Sequence, residues 1–375
     1  MLLQMSLDPD TRRKTGSIAG PARSRLTRRA LTRGLAALPL ALTGCASGDP
    51  GEGGRPWHHT ADGFRNPPGS PERGGDFGDW TSFFLRRLGK GSPEVAVPDG
   101  HVLPVADVHA GLDGQNGADS LTWLGHASFL IRLDGRTVLT DPFLSDHASP
   151  VAPLGPTRFA PPALRPGELP PIDVILLSHN HYDHLDLATI EALPGKARIE
   201  VLVPLRLRGY FSERGYPSVR ELDWHQQTVV RDLRVTALPA IHFSKRTLFD
   251  RNQTLWTGYA IESRRQRIYF AGDTAYGPVF GELAAGLDRF DLALLPIGAY
   301  EPRVLMRGSH TTPEEAVQIG RELGAARIVG MHWGSIVLTD EPPFEPPERF
   351  RSAAAAAGWR DEATWVMRIG ETRSI

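Results

Sequence analysis

Between Ser178 and Leu185 the chain reads His179-Asn180-His181-Tyr182-Asp183-His184, three imidazoles and a carboxylate within six positions. In an extended segment alternate side chains point the same way. His179 and His181 can therefore converge on one ion. As the chain turns into a helix, Asp183 and His184 can face a second ion a few ångströms away. Imidazole nitrogen and carboxylate oxygen suit a divalent cation, zinc above all. Three further candidates follow apolar runs, where an active-site loop would begin: His242 after Leu238-Pro-Ala-Ile, Asp273 after Ile268-Tyr-Phe-Ala-Gly, and His332 after Ile328-Val-Gly-Met. A lone histidine after a strand is ordinarily a hydrogen-bonded structural group. The compact run beside it changes that reading, because a metal site needs several donors.

The elements that must carry these residues are marked by periodicity. Leu121–Leu124 and Phe129–Leu133 read as strands, and Asp134-Gly135 makes a two-residue turn into Thr137–Thr140, a hairpin signal. Residues 150–171 are proline-rich and form a long loop. Ile172–Leu177 is almost continuously apolar, as expected of a strand buried on both faces. A helix follows over Leu185–Leu193, then a strand at Ile199–Val203. Further strands are expected at Arg234–Leu238, Gly258–Glu262, Arg267–Ala271, Asp291–Pro296 and Arg327–Met331. Thr312-Pro313-Glu314-Glu315 supplies a cap, a first-turn proline and a capping-box glutamate for a helix reaching Leu323. A last helix (Pro347–Ala357) and strand (Thr364–Ile369) close the domain. Strands that first pair as hairpins and then alternate with helices, twice over, predict an α/β fold of two mixed sheets flanked by helices.

The first 44 residues hold eight Lys/Arg against two acids, leaving 34 basic and 41 acidic residues from position 45 onward. A mildly acidic domain offers no general attraction to nucleic acid. A basic stretch, Arg23–Gly34, precedes a short apolar one, Leu35–Leu42, and then Thr43-Gly44-Cys45, the parts of an export signal. Thr27-Arg28-Arg29-Ala30-Leu31 is similar to a twin-arginine signal. Leu42-Thr-Gly-Cys45 is similar to a lipobox, which lipidates the cysteine. Cys45 is the sole cysteine, so neither a disulfide framework nor a cysteine-based zinc site is available. The expected organisation is an export signal over 1–44, a flexible Gly/Pro-rich tether over 45–79, and a catalytic domain over 80–375. Trp80–Leu88 reads as a short amphipathic helix. His58 and His59 fall in the tether and receive no role; His147 and His225 read as surface residues.

A His-x-His-x-Asp-His run with a later His, a Gly-Asp after a strand and a final His resembles the metallo-β-lactamase superfamily. Within it the chain looks like the branch of phospholipases D that hydrolyse N-acylphosphatidylethanolamine. The segments carrying that resemblance include Thr122-Trp-Leu-Gly-His-Ala127, Leu139-Thr-Asp-Pro142, Lys245-Arg-Thr247, Phe270-Ala-Gly-Asp-Thr274, Pro296–Arg303, His332-Trp-Gly334 and Glu345-Pro-Pro347. The resemblance implies an αββα sandwich and two zinc ions. His179, His181 and His242 would bind one, Asp183, His184 and His332 the other, with Asp273 bridging. It places His310 beside the metals, toward substrate or leaving group, and His126 and Asp141 where they orient ligands. It implies hydrolysis of a phospholipid to phosphatidic acid and an N-acylethanolamine; the lipobox-like segment separately implies a lipid anchor on Cys45 that holds the exported domain at a membrane. A lactone or ester hydrolase is the rival enzyme reading, and a zinc-holding lipid-binding lipoprotein the non-catalytic one.

Overall fold

A computed structural model describes residues 54–88, 94–151 and 155–375 of the chain. The export signal, Cys45 and the start of the expected tether lie outside the described residues. The apolar runs become strands β1 (Ser120–Gly125), β2 (Ser128–Leu133), β3 (Arg136–Thr140), β4 (Val174–Leu176), β5 (Glu200–Pro204) and β6 (Ser218–Leu222). Then come β7 (Gln227–Val230), β8 (Leu233–Leu238), β9 (Gly258–Glu262), β10 (Arg267–Phe270), β11 (Leu292–Pro296), β12 (Arg327–Met331), β13 (Thr364–Trp365) and β14 (Thr372–Ser374). The helices are α1 (Phe77–Leu88), α2 (Val105–Asp113), α3 (Leu187–Ala192), α4 (Arg208–Ser212), α5 (Val279–Gly286), α6 (Arg303–Met306), α7 (Pro313–Glu322) and α8 (Pro346–Ala356).

Two seven-stranded sheets result, in the orders β14-β1-β2-β3-β4-β5-β6 and β13-β12-β11-β10-β9-β8-β7. Each is mixed. β1, β2 and β3 pair antiparallel and β3 to β6 parallel; β7 to β10 pair antiparallel and β10 to β13 parallel. With helices flanking both sheets, this is the α/β architecture expected from the pattern. One apolar cluster takes in Leu139 and Val201 from the first sheet and Ile261 and Leu294 from the second, so the sheets share a core. The Tyr259 hydroxyl, donating to the Leu177 carbonyl at 2.8 Å, ties β9 to the end of β4 within that core.

Local chemistry explains the elements nearest the site. Fully buried strands such as β4 and β11 are apolar at every position. Asp134 (φ 48°) and Gly135 (φ 77°) form the tight β2–β3 turn. Helix α7 starts where its capping box predicts. The Thr312 hydroxyl accepts from the Glu315 N–H, and the Glu315 carboxylate accepts from the Thr312 N–H.

Several expectations are corrected. The final strand stops at Trp365 rather than Ile369, and the chain re-enters the first sheet as β14. Helix α2 and strands β6 and β7 were not anticipated. Only Val108 and Leu112 of α2 are buried, and β7 is a largely exposed edge strand, so neither carries a strong apolar period. The tether reading fails from Trp57 onward. Phe64 is buried against Trp224, Leu255 and Trp256, with Trp57 packed beside them. Average composition hides such a small number of aromatic anchors. His58 is buried rather than solvated: both His58 and His59 donate from Nε2 to the Asp223 carboxylate, at 2.6 and 2.7 Å. His147 is half-buried, 3.1 Å from the Thr157 hydroxyl, whereas His225 is exposed. No described helix is long and apolar enough to cross a membrane.

One close approach positions the site. Gly272 has φ 60°, and a Cβ there would stand 2.5 Å from Ser178 Cβ. Ser178 cannot give way, because its N–H and hydroxyl are both held by Asp141 at 2.6 Å. Gly272→Ala is therefore expected to destabilise the fold by about 2–4 kcal/mol, from left-handed strain plus overpacking. Denaturant unfolding checks this; a midpoint equal to wild type would contradict the packing described.

Candidate metal centre

Strand ends deliver the donors. His179 and His181 follow β4, and the turn closes with Leu185 N–H on the His181 carbonyl (2.8 Å), presenting Asp183 and His184 before α3. Asp186 caps α3 by accepting from the Ala188 N–H. His242 stands beyond β8, Asp273 beyond β10 and His332 directly after β12. All seven side chains meet, and all are buried or nearly so.

They meet as two groups sharing one carboxylate. In the first, His179 Nε2 and His242 Nε2 lie 2.8 and 3.2 Å from His181 Nδ1, and 3.8 and 3.7 Å from Asp273 Oδ2. In the second, His184 Nε2 and His332 Nε2 each lie 3.5 Å from Asp183 Oδ2. They stand 3.2 Å from Asp273, on Oδ2 and Oδ1 respectively. Ligands of a tetrahedral zinc ion at ordinary bond lengths sit about 3.3 Å apart. The separations observed bracket that edge.

Hydrogen bonds on the far side of the rings decide which nitrogen faces inward. His242 Nδ1 donates to the Ser309 carbonyl at 2.8 Å, which leaves the Nε2 lone pair free. His184 Nδ1 donates to Asp141 Oδ2 at 2.7 Å, which turns its Nε2 toward Asp183 and Asp273. The Ser178 hydroxyl donates to Asp141 and so accepts from His179 Nδ1 at 2.8 Å. Such outer partners fix tautomer and ring orientation. His126 donates from Nε2 to Asp183 Oδ2 at 2.9 Å and so steadies that carboxylate. The backbones of His126 (φ 57°) and His332 (φ 63°) are both left-handed and face each other, with His332 N–H on the His126 carbonyl. Strain of this kind persists where surrounding structure enforces it.

The inward atoms are unsatisfied. His184 Nε2, His332 Nε2 and Asp273 Oδ1 are buried without a hydrogen-bond partner. Buried polar atoms are nearly always paired, whereas these imidazole nitrogens each stand 3.2 Å from an Asp273 oxygen without forming a hydrogen bond. Nitrogen and carboxylate donors converging in that way fit a pair of divalent cations. Electrostatics agree with the donor roles. Burial, then the neighbouring histidines, hold His179 well below the usual imidazole range. Burial likewise holds His242 well below it and pushes His181 down to about 4, outweighing the nearby carboxylates. All three are neutral at pH 7, as ligands must be. Burial opposes charge on His184 and His332 too, but Asp273 and its neighbours prevail, raising His184 well above its usual value and His332 to about 9. Burial also favours the neutral forms of Asp183 and Asp273, yet the adjacent imidazoles keep both well below the carboxylate range.

His310 follows α6, its N–H bonded to the Met306 carbonyl. Its Nδ1 has no partner and lies 3.9 Å from Asp273 Oδ2. Burial pulls its pKa down to about 4, so it is neutral at pH 7. Sequence reasoning gave no role to Ser178, Ser309 or Asn66, whose Oδ1 accepts from the His242 N–H at 3.0 Å. Ser178 adjoins His179 and was findable. Ser309 acts through its backbone, and Asn66 through a segment whose docking no local pattern announces. Arg246 was legible only as a motif residue; its guanidinium donates to the Asn180 and Leu185 carbonyls at 2.8 Å and clasps the ligand loop.

Residues 136–333 match the family described as the β-lactamase superfamily domain. An uncharacterised protein of Mycobacterium tuberculosis is 42% identical over 240 residues, covering 63% of this chain. The chain spans only 64% of that relative's length. The N-acyl-phosphatidylethanolamine-hydrolysing phospholipase D 1 of Caenorhabditis elegans is 35% identical over 304 residues, covering 77% of this chain and 85% of the relative. Among solved structures, a metallo hydrolase from the archaeon Ignicoccus hospitalis superposes with a TM-score of 0.51 at 21% identity, covering 68% of this chain and 97% of that one.

Two outcomes follow from the site. Protein stripped by a chelator is expected to release protons on taking up zinc at pH 7, since His184 and His332 must shed theirs to become ligands. Apparent affinity then rises as pH climbs toward and through about 9, where His332 loses its extra proton. Titration in weak buffer with a pH indicator reads this, and uptake without release would contradict the protonation described. Asp141→Asn is expected to weaken metal binding roughly 10–100-fold by removing the carboxylate behind His184, measured by competition with a chromophoric chelator.

Proposed function

The chain belongs to the metallo-β-lactamase superfamily, and on that premise we propose that it is a metal-dependent phosphodiesterase. In this reading it cleaves N-acylphosphatidylethanolamine-type lipids to phosphatidic acid and an N-acylethanolamine. The observation that carries it is Asp273, a buried carboxylate placed between two histidine groups with one oxygen lacking a hydrogen-bond partner. The C. elegans relative supports the substrate class. His179, His181 and His242 would hold one cation, and Asp183, His184 and His332 the other, with Asp273 common to both. Zinc ions held there would activate a water and neutralise charge on the substrate's phosphoryl oxygens.

The chain's own groups do the rest. Asp141, Ser178 and the Ser309 carbonyl keep three imidazoles in the ligating tautomer. His126 holds Asp183 in place. His310, neutral and with a free Nδ1, is positioned to hydrogen-bond the substrate or the departing alcohol oxygen. Burial of the cluster limits bulk water and strengthens each of these interactions. In the same reading Cys45 carries a lipid that keeps the domain at a membrane in the cell envelope, close to a lipid substrate.

The experiment is to incubate purified protein of known metal content with N-acylphosphatidylethanolamine, a simple phosphodiester and a lactone. Release of N-acylethanolamine is expected, and Asp273→Ala should lower both turnover and retained metal by two orders of magnitude or more. Turnover of the lactone alone would replace the phosphodiester reading with an ester hydrolase. Bound metal with no turnover of any of the three would favour a binding protein.

A further inference from the structure

His242 belongs both to the ligand cluster and to the wall of an adjoining cavity of about 330 Å³. Asn66, Ser70, Glu72, Arg73, Arg251 and Ser309 also line that cavity. Its two arginines flank one ring. The guanidinium carbons of Arg73 and Arg251 lie 5.9 and 4.3 Å from the centroid of Phe243, the residue after His242. Arg73 also stacks on Trp80 at 3.7 Å. Among the described residues neither guanidinium donates to an acceptor or pairs with a carboxylate, and Glu72 forms no ion pair with either. Both arginines keep substantial exposure, yet burial, and then the charge of Arg251, draw the Arg73 pKa down to about 10. Both remain cations at neutral pH.

The backbone ties this pair to the metal cluster. A Cβ on Gly308 would stand 2.9 Å from Arg73 Cα and 3.0 Å from its nitrogen, so only glycine lets the Arg73 segment lie flush on that turn. The next residue, Ser309, accepts from His242 Nδ1. Two like charges held on aromatic faces, with ten N–H donors and no acceptor supplied by the fold, create a demand for an anion from outside. Paired guanidinium forks match the oxygens of a phosphate group.

We propose that Arg73 and Arg251 form an oxyanion subsite beside the metal cluster, which takes a phosphate group and selects anionic over neutral substrates. The selection of substrate rests on the phosphodiesterase reading; the binding of the anion does not. Arginine here is a specificity residue, and chemistry stays with the cluster.

The test uses the purified, metal-loaded protein with Arg73→Ala, Arg251→Ala and the double substitution, each checked for unchanged metal content and melting temperature. Inorganic phosphate is titrated by calorimetry. The double variant is expected to lose roughly tenfold or more in phosphate affinity, with Arg→Lys at either position restoring only part of it. The KM for bis(4-nitrophenyl) phosphate should rise in parallel at constant kcat, while the KM for 4-nitrophenyl butyrate stays fixed. Phosphate affinity unchanged in the double variant, or equal rises in KM for the charged and neutral substrates, would overturn the proposal. A wild-type protein inert toward phosphodiesters sinks the function proposed above, and the phosphate titration still decides the subsite. Co-sedimentation with phosphatidylcholine vesicles, with or without phosphatidic acid, distinguishes the source. Retention that needs phosphatidic acid and both arginines assigns a lipid headgroup; phosphate binding without such retention assigns a soluble anion.

Discussion

A carboxylate taken out of water must find compensation nearby, and Asp273 finds it in five imidazoles arriving on four segments of the chain. That requirement organises the molecule. β4 belongs to the first sheet, whereas β8, β10 and β12 belong to the second. Their ends must therefore lie together at one edge before Asp273 can be buried tolerably. The shared core, the Tyr259 hydroxyl on Leu177 and the glycine contact between residues 272 and 178 all hold that edge in register.

Beyond the inward-facing atoms, outer hydrogen bonds hold the rings of His179, His184 and His242. Asp141 is the busiest outer partner, accepting from the Ser178 backbone and hydroxyl and from His184. The unsatisfied inner atoms, His184 Nε2, His332 Nε2 and Asp273 Oδ1, separate this cluster from the His58–His59–Asp223 group. There the same residue types pair completely with each other. A histidine–carboxylate cluster can thus be a fastening or a ligand cage. The direction in which its lone pairs point tells the two apart.

The dense run from His179 to His184 is legible because its candidate donors are local in sequence, and spacing alone states which can converge. His242, Asp273 and His332 were legible by position, each standing just past an apolar stretch that became or adjoined a strand. The two mixed sheets were legible from hairpins followed by strand–helix alternation. What sequence could not supply was long-range pairing. The Ser309 carbonyl is invisible because any residue has one. β6 and β7 escaped because edge strands need little apolar patterning, and β14 because three residues carry almost no period. The segment around His58 is illegible for a related reason: its glycine and proline content describes a loop, and a loop can be ordered when a few aromatic side chains find a pocket.

That segment sets where the working unit begins. The stretch matched as a family domain starts at residue 136, whereas Asn66 supports the His242 backbone and Asp223 grips the strap that brings it there. A fragment trimmed to the matched stretch would keep all seven cluster residues and still forfeit part of their scaffolding. In modular terms, the catalytic unit is not coextensive with the stretch that similarity detects. Swapping that stretch between relatives would transplant the cage without the brace that squares it.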